Sequence, residues 1–232
     1  MKACFAVRPV FQPGNCARDP VMTLNVRFRW YPGLARTQQQ QSIEALHEQT
    51  RNQHPELGEM LEVSSRASQS IGRALSAFNL SLRLPGVGLV ALESAYQCAK
   101  VHAHGGPWPE MMTLDPMTVR RRLTTYRDSP LCGFRLLGQD WPLEPCSLFY
   151  DWLYAHALRS HPGLLEQARE FAAFTDIAFN PKRSLACQAS ALARVMFLVE
   201  RGRLDQALAS PDSFRLLAFP ATASAQQAEL AF

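Results

Sequence analysis

The first thirty residues differ from the rest of the chain in the spacing of their apolar side chains. Apolar and polar residues alternate in residues 4–11, CFAVRPVF, and again in residues 22–30, MTLNVRFRW. Alternation with a period of two is typical of β-strands. The segment that separates the two stretches, QPGNCARDP, is rich in residues that favour turns. We therefore predict an N-terminal strand pair within residues 1–35.

Most of the remaining chain has apolar residues at helical spacing, and Thr37, Ser147 and Ser184 are plausible N-caps. Helices are predicted over residues 37–52, 70–77, 89–102, 116–126, 147–160, 164–174, 184–201 and 204–209. Residues 129–146 are predicted to be a loop with one short strand, and residues 211–232 a C-terminal tail. There is no internal repeat or linker-like segment. The prediction is one domain over residues 1–232, mostly α with a few short β-strands, of the α+β class.

The composition, 47% hydrophobic and 19% charged, is typical of a soluble globular protein. No run reaches the roughly 18 apolar residues of a membrane span, so we expect a cytoplasmic protein without a membrane partner. The six cysteines form no CxxC pair, which favours free thiols. A net charge of +4 permits contact with nucleic acid but does not require it.

Motifs for common cofactors and metals are absent. The chain has no GxGxxG, GxxxxGK[ST], HExxH or GxSxG pattern, so we expect no nucleotide cofactor. Cys98, His102 and His104 lie close together but form an incomplete zinc ligand set, and we expect no metal. The basic run RRRLTTYRD, residues 120–128, fits either phosphate contacts or a solvated helix face.

The stretch ALESAYQCAK, residues 91–100, contains a carboxylate, an amide and an amine at helical spacing. On one helix, Glu93, Gln97 and Lys100 would share a face, and Tyr96 would point into the core. Spacing alone fits a solvated face better than a reaction site, because most polar stripes on helices are exposed.

Four segments taken together are more specific. They are LEVSSRASQSIGRALSAFNLSL, ALESAYQCAKVHAHGGPWPEM, WPLEPCSLFYDWLY and FTDIAFNPKRSLACQA, in this order. They resemble the NADAR family, and within it the branch encoded beside DarT-type DNA ADP-ribosyltransferases. The resemblance spans roughly residues 5–210, and the Glu-x-x-Tyr-Gln-x-x-Lys pattern is similar to a signature of the wider YbiA-like group. The resemblance implies a single-domain YbiA-like fold.

The resemblance also implies an activity. The implied protein is an N-glycosidase that removes ADP-ribose from guanine in DNA, with free ADP-ribose as the product. It would act in this way as the antitoxin to a DarT-type toxin. Two alternatives remain open. One is an antitoxin that binds the toxin or the ADP-ribosylated lesion without chemistry. The other is a YbiA-like enzyme that acts on small riboflavin-pathway intermediates.

For the implied reaction, Glu93 is the candidate that stabilises a cationic sugar or activates water. Lys100 has three possible roles: it protonates the leaving group, holds a phosphate, or attacks an opened ribose. Asp151 and Asp176 are the candidate second carboxylates, and Asp176 is the stronger of the two because it lies in a predicted loop. The candidate substrate-binding residues are Ser64, Ser65, Arg66, Phe78, Asn79, Gln97, Trp141, Asp151 and Asn180.

Several of these residues also have plain structural interpretations. Asp151 suits the first turn of a helix because of its charge, and Phe78 suits a core. Two positions depart from the pattern of the branch: Arg66 stands where a lysine is usual, and an acidic residue is usual near Ala178. Arginine keeps the positive charge but forms no imine, so any lysine chemistry would depend on Lys100.

Overall fold

The structure is a computed structural model, and it describes residues 4–180 and 184–220. The strands in this part of the chain are β1 (Cys4–Cys16), β2 (Asp19–Trp30), β3 (Met60–Glu62), β4 (Ser81–Leu84), β5 (Gly88–Ala91), β6 (Lys100–His102), β7 (Leu131–Leu136), β8 (Gln139–Trp141) and β9 (Ala173–Thr175). The α-helices are α1 (Arg36–Gln53), α2 (Ser70–Ala74), α3 (Leu92–Cys98), α4 (Pro116–Arg122), α5 (Leu148–Arg159), α6 (Pro162–Ala168), α7 (Gln188–Glu200), α8 (Leu204–Leu208) and α9 (Pro211–Ala218). The predicted α+β class is confirmed.

The predicted N-terminal hairpin is also confirmed. β1 and β2 pair antiparallel, and most of the segment predicted as a loop belongs to the strands. The hairpin extends into a sheet of order β2-β1-β9-β3, in which β9 is antiparallel to β1 and parallel to β3. α1 packs on this sheet through Ile43 and Leu46, which contact a small apolar cluster. The sheet therefore brings the ends of β3 and β9 side by side.

The larger core surrounds α5 and α7, and two small sheets lie around it. β4 pairs with β5, and β7 lies between β6 and β8, all antiparallel. The side chains of Leu153, Tyr154 and Leu192 are fully buried in this core. The Tyr154 hydroxyl donates a hydrogen bond of 2.8 Å to the carbonyl of Leu75, so α5 is tied to the end of α2.

The helix predicted over residues 89–102 is too long at both ends. Only α3 is helical there, between the strands β5 and β6. Ala91 pairs with Ser81 in one sheet, and Lys100 pairs with Phe134 in another. Pairing with distant strands therefore overrides the helical spacing at both ends, a common outcome for short amphipathic segments. Tyr96 is buried, as predicted.

Other helix ends also differ from the predictions. Thr37 and Ser184 are not N-caps, because α1 begins at Arg36 and α7 at Gln188. Ser147 does precede α5, but its hydroxyl donates to the Asp151 carboxylate and caps no backbone N–H.

Three longer segments differ as well. Residues 164–174 contain the end of α6 and the start of β9, not one helix, and residues 129–146 contain two strands, β7 and β8. Residues 211–218 of the predicted tail form α9, whereas residues 221–232 lie outside the described residues, as does Pro181 in the predicted loop. No helix in the described part of the chain is long and apolar enough to cross a membrane.

Candidate active site

Glu93 lies in the first turn of α3 and is buried. Its backbone N–H donates to the carbonyl of Ala77 at 3.0 Å, which fixes the start of α3 against the segment after α2. Gln97 donates its side-chain amide to Glu93 Oε1 at 3.0 Å, and Arg120 Nε lies 3.9 Å from the same oxygen. Burial raises the pKa of Glu93, whereas the amide and the charges of Arg120 and Lys100 oppose this rise.

Lys100 is the first residue of β6 and not part of α3, yet it lies near Glu93. Its Nζ lies 5.0 Å from the centre of the Tyr96 ring. Burial lowers the pKa of Lys100, Glu93 opposes this shift, and Arg120 adds to it. The predicted proximity of Glu93 and Lys100 therefore holds, although a strand and not a shared helix face produces it.

Phe78 and Arg120 cover this centre on the solvent side. The Arg120 guanidinium lies 5.6 Å from the centre of the half-buried Phe78 ring and is itself half exposed. One arginine of the basic run thus reaches Glu93, while Arg121 is exposed on the next position of α4. Asn79 is exposed and donates to the carbonyl of Arg73 at 2.7 Å.

A second carboxyl centre lies at the ends of β3 and β9. Glu62 is buried, and its Oε1 accepts hydrogen bonds from the Ser64 hydroxyl at 2.7 Å and the Ile177 N–H at 3.0 Å. Its Oε2 accepts a hydrogen bond of 2.7 Å from the Thr175 hydroxyl. Burial, together with the nearby Asp176 carboxylate, raises the pKa of Glu62 to about 8.

Glu62 was not among the site residues predicted from the sequence. The signal in the sequence was a carboxylate at the end of the short apolar strand MLE, where a charge is out of place unless it has partners. Gly72 permits the close packing behind it, because a Cβ at this position would lie 2.1 Å from the Glu62 carbonyl oxygen.

Asp176 lies beside Glu62 and belongs to the second centre. Its Oδ1 accepts a hydrogen bond of 3.1 Å from the Ala178 N–H, and burial raises its pKa to about 6 although a hydrogen bond from Gln188 opposes the shift. The Gln188 side-chain oxygen also accepts the Ala77 N–H at 2.9 Å. Since the Ala77 carbonyl accepts the backbone N–H of Glu93, Gln188 and Ala77 link Asp176 to the backbone at the start of α3.

Tyr150, a second residue that the sequence analysis missed, interacts with both carboxylates. Burial raises its pKa well above the usual value, and the charges of Glu93 and Asp176 add to this effect. Its ring meets that of Tyr96 edge-on at a centroid distance of 5.0 Å. The phenol therefore stays protonated near both acids and can act only as a neutral donor or acceptor.

A family model for DarT1-associated NADAR antitoxins matches residues 6–228. The chain belongs to this family. The match includes all of the residues of both carboxyl centres, and the family implies a DarT toxin as the partner of the antitoxin. A comparison with curated proteins found no match.

Two of the predicted binding residues of this NADAR antitoxin lie in the core. Asp151 is fully buried and forms an ion pair with Arg194, whose Nε lies 2.9 Å from Oδ2. Trp141 is buried against Phe149 and Trp152, at ring distances of 5.3 and 4.7 Å. Their roles in binding substrate stay predictions.

The remaining predicted residues surround the second centre. The Ser64 hydroxyl accepts the Arg66 N–H at 3.2 Å, and Ser65 and Arg66 are exposed in the turn that follows β3. Asn180 is half-buried beyond Asp176, and its carbonyl accepts a hydrogen bond from the backbone of Ser184. Within residues 4–180 and 184–220, no group of three His, Cys, Asp or Glu side chains is arranged to hold a metal ion.

Proposed function

We propose that this antitoxin is an N-glycosidase that removes ADP-ribose from guanine bases in DNA and so reverses the modification made by a DarT-type toxin. The observation that carries the proposal is the buried Glu93 carboxylate, which has the Gln97 amide at 3.0 Å and the positive charges of Arg120 and Lys100 beside it. Membership of an antitoxin family supports the biological part of the proposal.

The reaction breaks the bond between ribose C1'' and the guanine amino nitrogen. As the bond lengthens, positive charge develops on the sugar, and a carboxylate close to C1'' lowers the energy of this transition state. In our proposal Glu93 also takes a proton from the attacking water. The hydroxyl of that water adds to C1'', the bonding electrons remain on the guanine nitrogen, and that nitrogen takes up a proton from an acid.

The two cations suit both the carboxylate and the substrate. Arg120 and Lys100 oppose the effect of burial on Glu93 and so favour its ionised form. The same charges attract the diphosphate of ADP-ribose, which an arginine can bind through two hydrogen bonds. Phe78, partly exposed beside Arg120, offers a flat apolar surface for a ring of the substrate.

The test uses an oligonucleotide that carries ADP-ribosyl-guanine, with free ADP-ribose measured by chromatography. The protein should release ADP-ribose, and Glu93→Gln should lower kcat by about 10²–10³-fold, because the amide keeps the shape but removes the charge. The matched control is Glu166→Gln, since Glu166 is an exposed residue of α6 that pairs only at the surface with Arg169. Release of ADP-ribose at wild-type rates by Glu93→Gln would refute the role of this residue.

Protection of cells is a second readout. Co-expression with a DarT-type toxin should be harmless with the wild-type antitoxin and toxic with Glu93→Gln. If Glu93→Gln protects cells fully and the wild-type protein releases no ADP-ribose, neutralisation by binding replaces the enzymatic proposal. Release of product from riboflavin-pathway intermediates but not from DNA would favour the small-molecule alternative.

A further inference from the structure

Behind Glu62, on the side of α1, lies a polar pocket of about 190 Å³. Side chains that line it include Gln40, Glu44, His47, Arg51, Glu62 and Gln69. His47 is half-buried, whereas Glu44 and Arg51 are exposed, so the pocket connects the imidazole with solvent. The proposed reaction does not use this pocket.

A continuous chain of hydrogen bonds runs from the pocket to Glu62. His47 Nε2 lies 2.8 Å from Thr175 Oγ1, and the Thr175 hydroxyl donates to Glu62 Oε2 at 2.7 Å. A hydroxyl that donates its one proton to Glu62 accepts from His47, so the imidazole carries its proton on Nε2. Thr175 is fully buried, which leaves its hydroxyl no water to replace either partner.

We propose that His47 and Thr175 relay a proton from the pocket to the Glu62–Asp176 carboxyl pair, and that this pair delivers it to the guanine nitrogen that leaves in the proposed reaction. The inference rests on the proposed function for its last step only. Asp176 is the member of the pair that accepts a hydrogen bond from Gln188, which in turn binds the Ala77 N–H next to the start of α3.

The relay moves one proton without any change of oxidation state. A proton from solvent binds His47 Nδ1, the Nε2 proton passes to Thr175 Oγ1, and the Thr175 hydroxyl proton passes to Glu62 Oε2. The imidazole then regains its first tautomer by exchange with solvent in the pocket. The proton passes from Glu62 to the adjacent Asp176, Asp176 gives it to the leaving nitrogen, and the next relay step restores the proton on Glu62.

The charges around this chain of hydrogen bonds favour proton transfer from His47 towards Glu62. Burial and Arg51 lower the pKa of His47 to about 4, so its imidazole is neutral at neutral pH and has one N–H. The carboxyl pair has raised pKa values, because two adjacent buried carboxylates do not ionise easily together. The other charged or titratable groups that face the chain are Arg8 from β1, Glu44 from α1, Tyr150 and Tyr154 from α5, and Cys187 at the start of α7.

The first experiment compares Thr175→Val with Thr175→Ser. Valine keeps the volume and removes the hydroxyl, whereas serine restores the hydroxyl. The first turnover uses the stored proton, but each later turnover needs the relay. In Thr175→Val the ratio of the first-turnover rate to the steady-state rate should therefore rise by about tenfold or more, while Thr175→Ser stays near the wild-type ratio. Equal ratios in the two variants would overturn the relay.

The second experiment uses the space left by His47→Ala. This variant should turn over slowly, and free imidazole in the buffer should restore most of the lost rate, because the pocket has room for the ring. Gln40→Ala is the matched control, since Gln40 lines the same pocket and its amide contacts Glu44 on the surface of α1. The Gln40→Ala variant should turn over at the wild-type rate, and imidazole should not change that rate. Absence of rescue in His47→Ala would count against His47 as the entry point.

A third measurement is independent of activity. Infrared spectroscopy should detect a protonated carboxyl group at neutral pH that is lost in Glu62→Gln. After transfer to D₂O, its exchange should be slower in Thr175→Val than in Thr175→Ser. If the wild-type protein releases no ADP-ribose, this exchange still decides the relay, so failure of the proposed function and failure of the relay are distinguishable. No protonated carboxyl at neutral pH, or equal exchange rates, would overturn it.

Discussion

Asp151 should make the protein less stable as the pH rises, even though it forms an ion pair. Its carboxylate is fully buried, lies 2.9 Å from Arg194 Nε and accepts the Ser147 hydroxyl at 3.1 Å. The Arg194 guanidinium also donates to the carbonyl of Ala218 and lies 3.9 Å from the Phe219 ring centre. The pair thus joins α5, α7 and the end of α9. Burial outweighs these contacts and raises the pKa of Asp151 from 3.8 to about 6.

The size of the effect follows from the difference between the folded and unfolded pKa values. Asp151 has a higher pKa in the folded protein than in the unfolded protein. Its protonation therefore stabilises the fold fully at pH values below the unfolded-state pKa, and this stabilisation is lost as the pH rises through the folded-state pKa. About two pKa units correspond to about 3 kcal/mol in the free energy of unfolding. The stability that Asp151 contributes should be lost between about pH 4 and about pH 7.

Asp151→Asn isolates this contribution. The amide keeps the shape but does not titrate, while Glu62 and Asp176 titrate in both proteins and cancel in the comparison. Urea unfolding over this pH range should show that the wild-type free energy of unfolding falls by about 3 kcal/mol more than that of the variant. Arg194→Met with Asp151 intact is the control, because loss of the cation should raise the pKa of Asp151 further and enlarge the pH dependence.

If the free energy of unfolding changes with pH in the same way for the wild-type protein and for Asp151→Asn, the reasoning is refuted. Arg194 would then balance the cost of burying the carboxylate. A wild-type protein that gains stability over the same range, relative to the variant, would mean that attraction dominates. The same variant tests the sequence-based prediction that Asp151 binds substrate. A raised KM in Asp151→Asn would support that prediction, whereas its buried position leads us to expect an unchanged KM.

Two further predictions concern the cations beside Glu93. Lys100→Met should lower kcat/KM by about 10–100-fold, the range for loss of a charge-assisted contact, whereas Lys100→Arg should retain most activity. A covalent protein–ADP-ribose adduct trapped by borohydride in the wild-type protein, and absent from Lys100→Arg, would instead indicate attack of the amine on the sugar. Arg120→Gln should raise KM by about tenfold through loss of a diphosphate contact, and the adjacent exposed Arg121→Gln should leave it unchanged. Equal effects of the two arginine variants would indicate general attraction for DNA and not a specific contact.

Local sequence patterns predicted the fold where local interactions decide it. The alternation in residues 4–30 predicted the hairpin, because β1 and β2 are adjacent in the chain and their turn lies between them. The spacing around Glu93 predicted a helix correctly but extended it through Lys100. That helix ends where it does because the next residues pair with β7, a contact that single-segment periodicity does not contain.

Long-range contacts explain what the sequence did not reveal about the site. Glu62 was missed because its partner Thr175 is 113 positions further along the chain. Similarly, Tyr150 lies within the helix predicted over residues 147–160, and its relation to the site depends on Glu93 and Asp176 from other segments. Motif resemblance implied Glu93, Lys100 and Asp176 as catalytic residues, but it gave no physical reason for their placement.

In the proposed reaction, the surroundings of the two carboxyl centres suit Glu93 to the role of base and the Glu62–Asp176 pair to the role of acid. Glu93 has the charges of Arg120 and Lys100 beside it, which favour its ionised form, as a base requires. The neighbouring charge that acts on Glu62 is that of Asp176, another carboxylate, which favours retention of a proton, as an acid requires. Under this proposal Glu93 faces the positive charge that develops on the sugar, and the Glu62–Asp176 pair supplies the proton that the leaving nitrogen takes up.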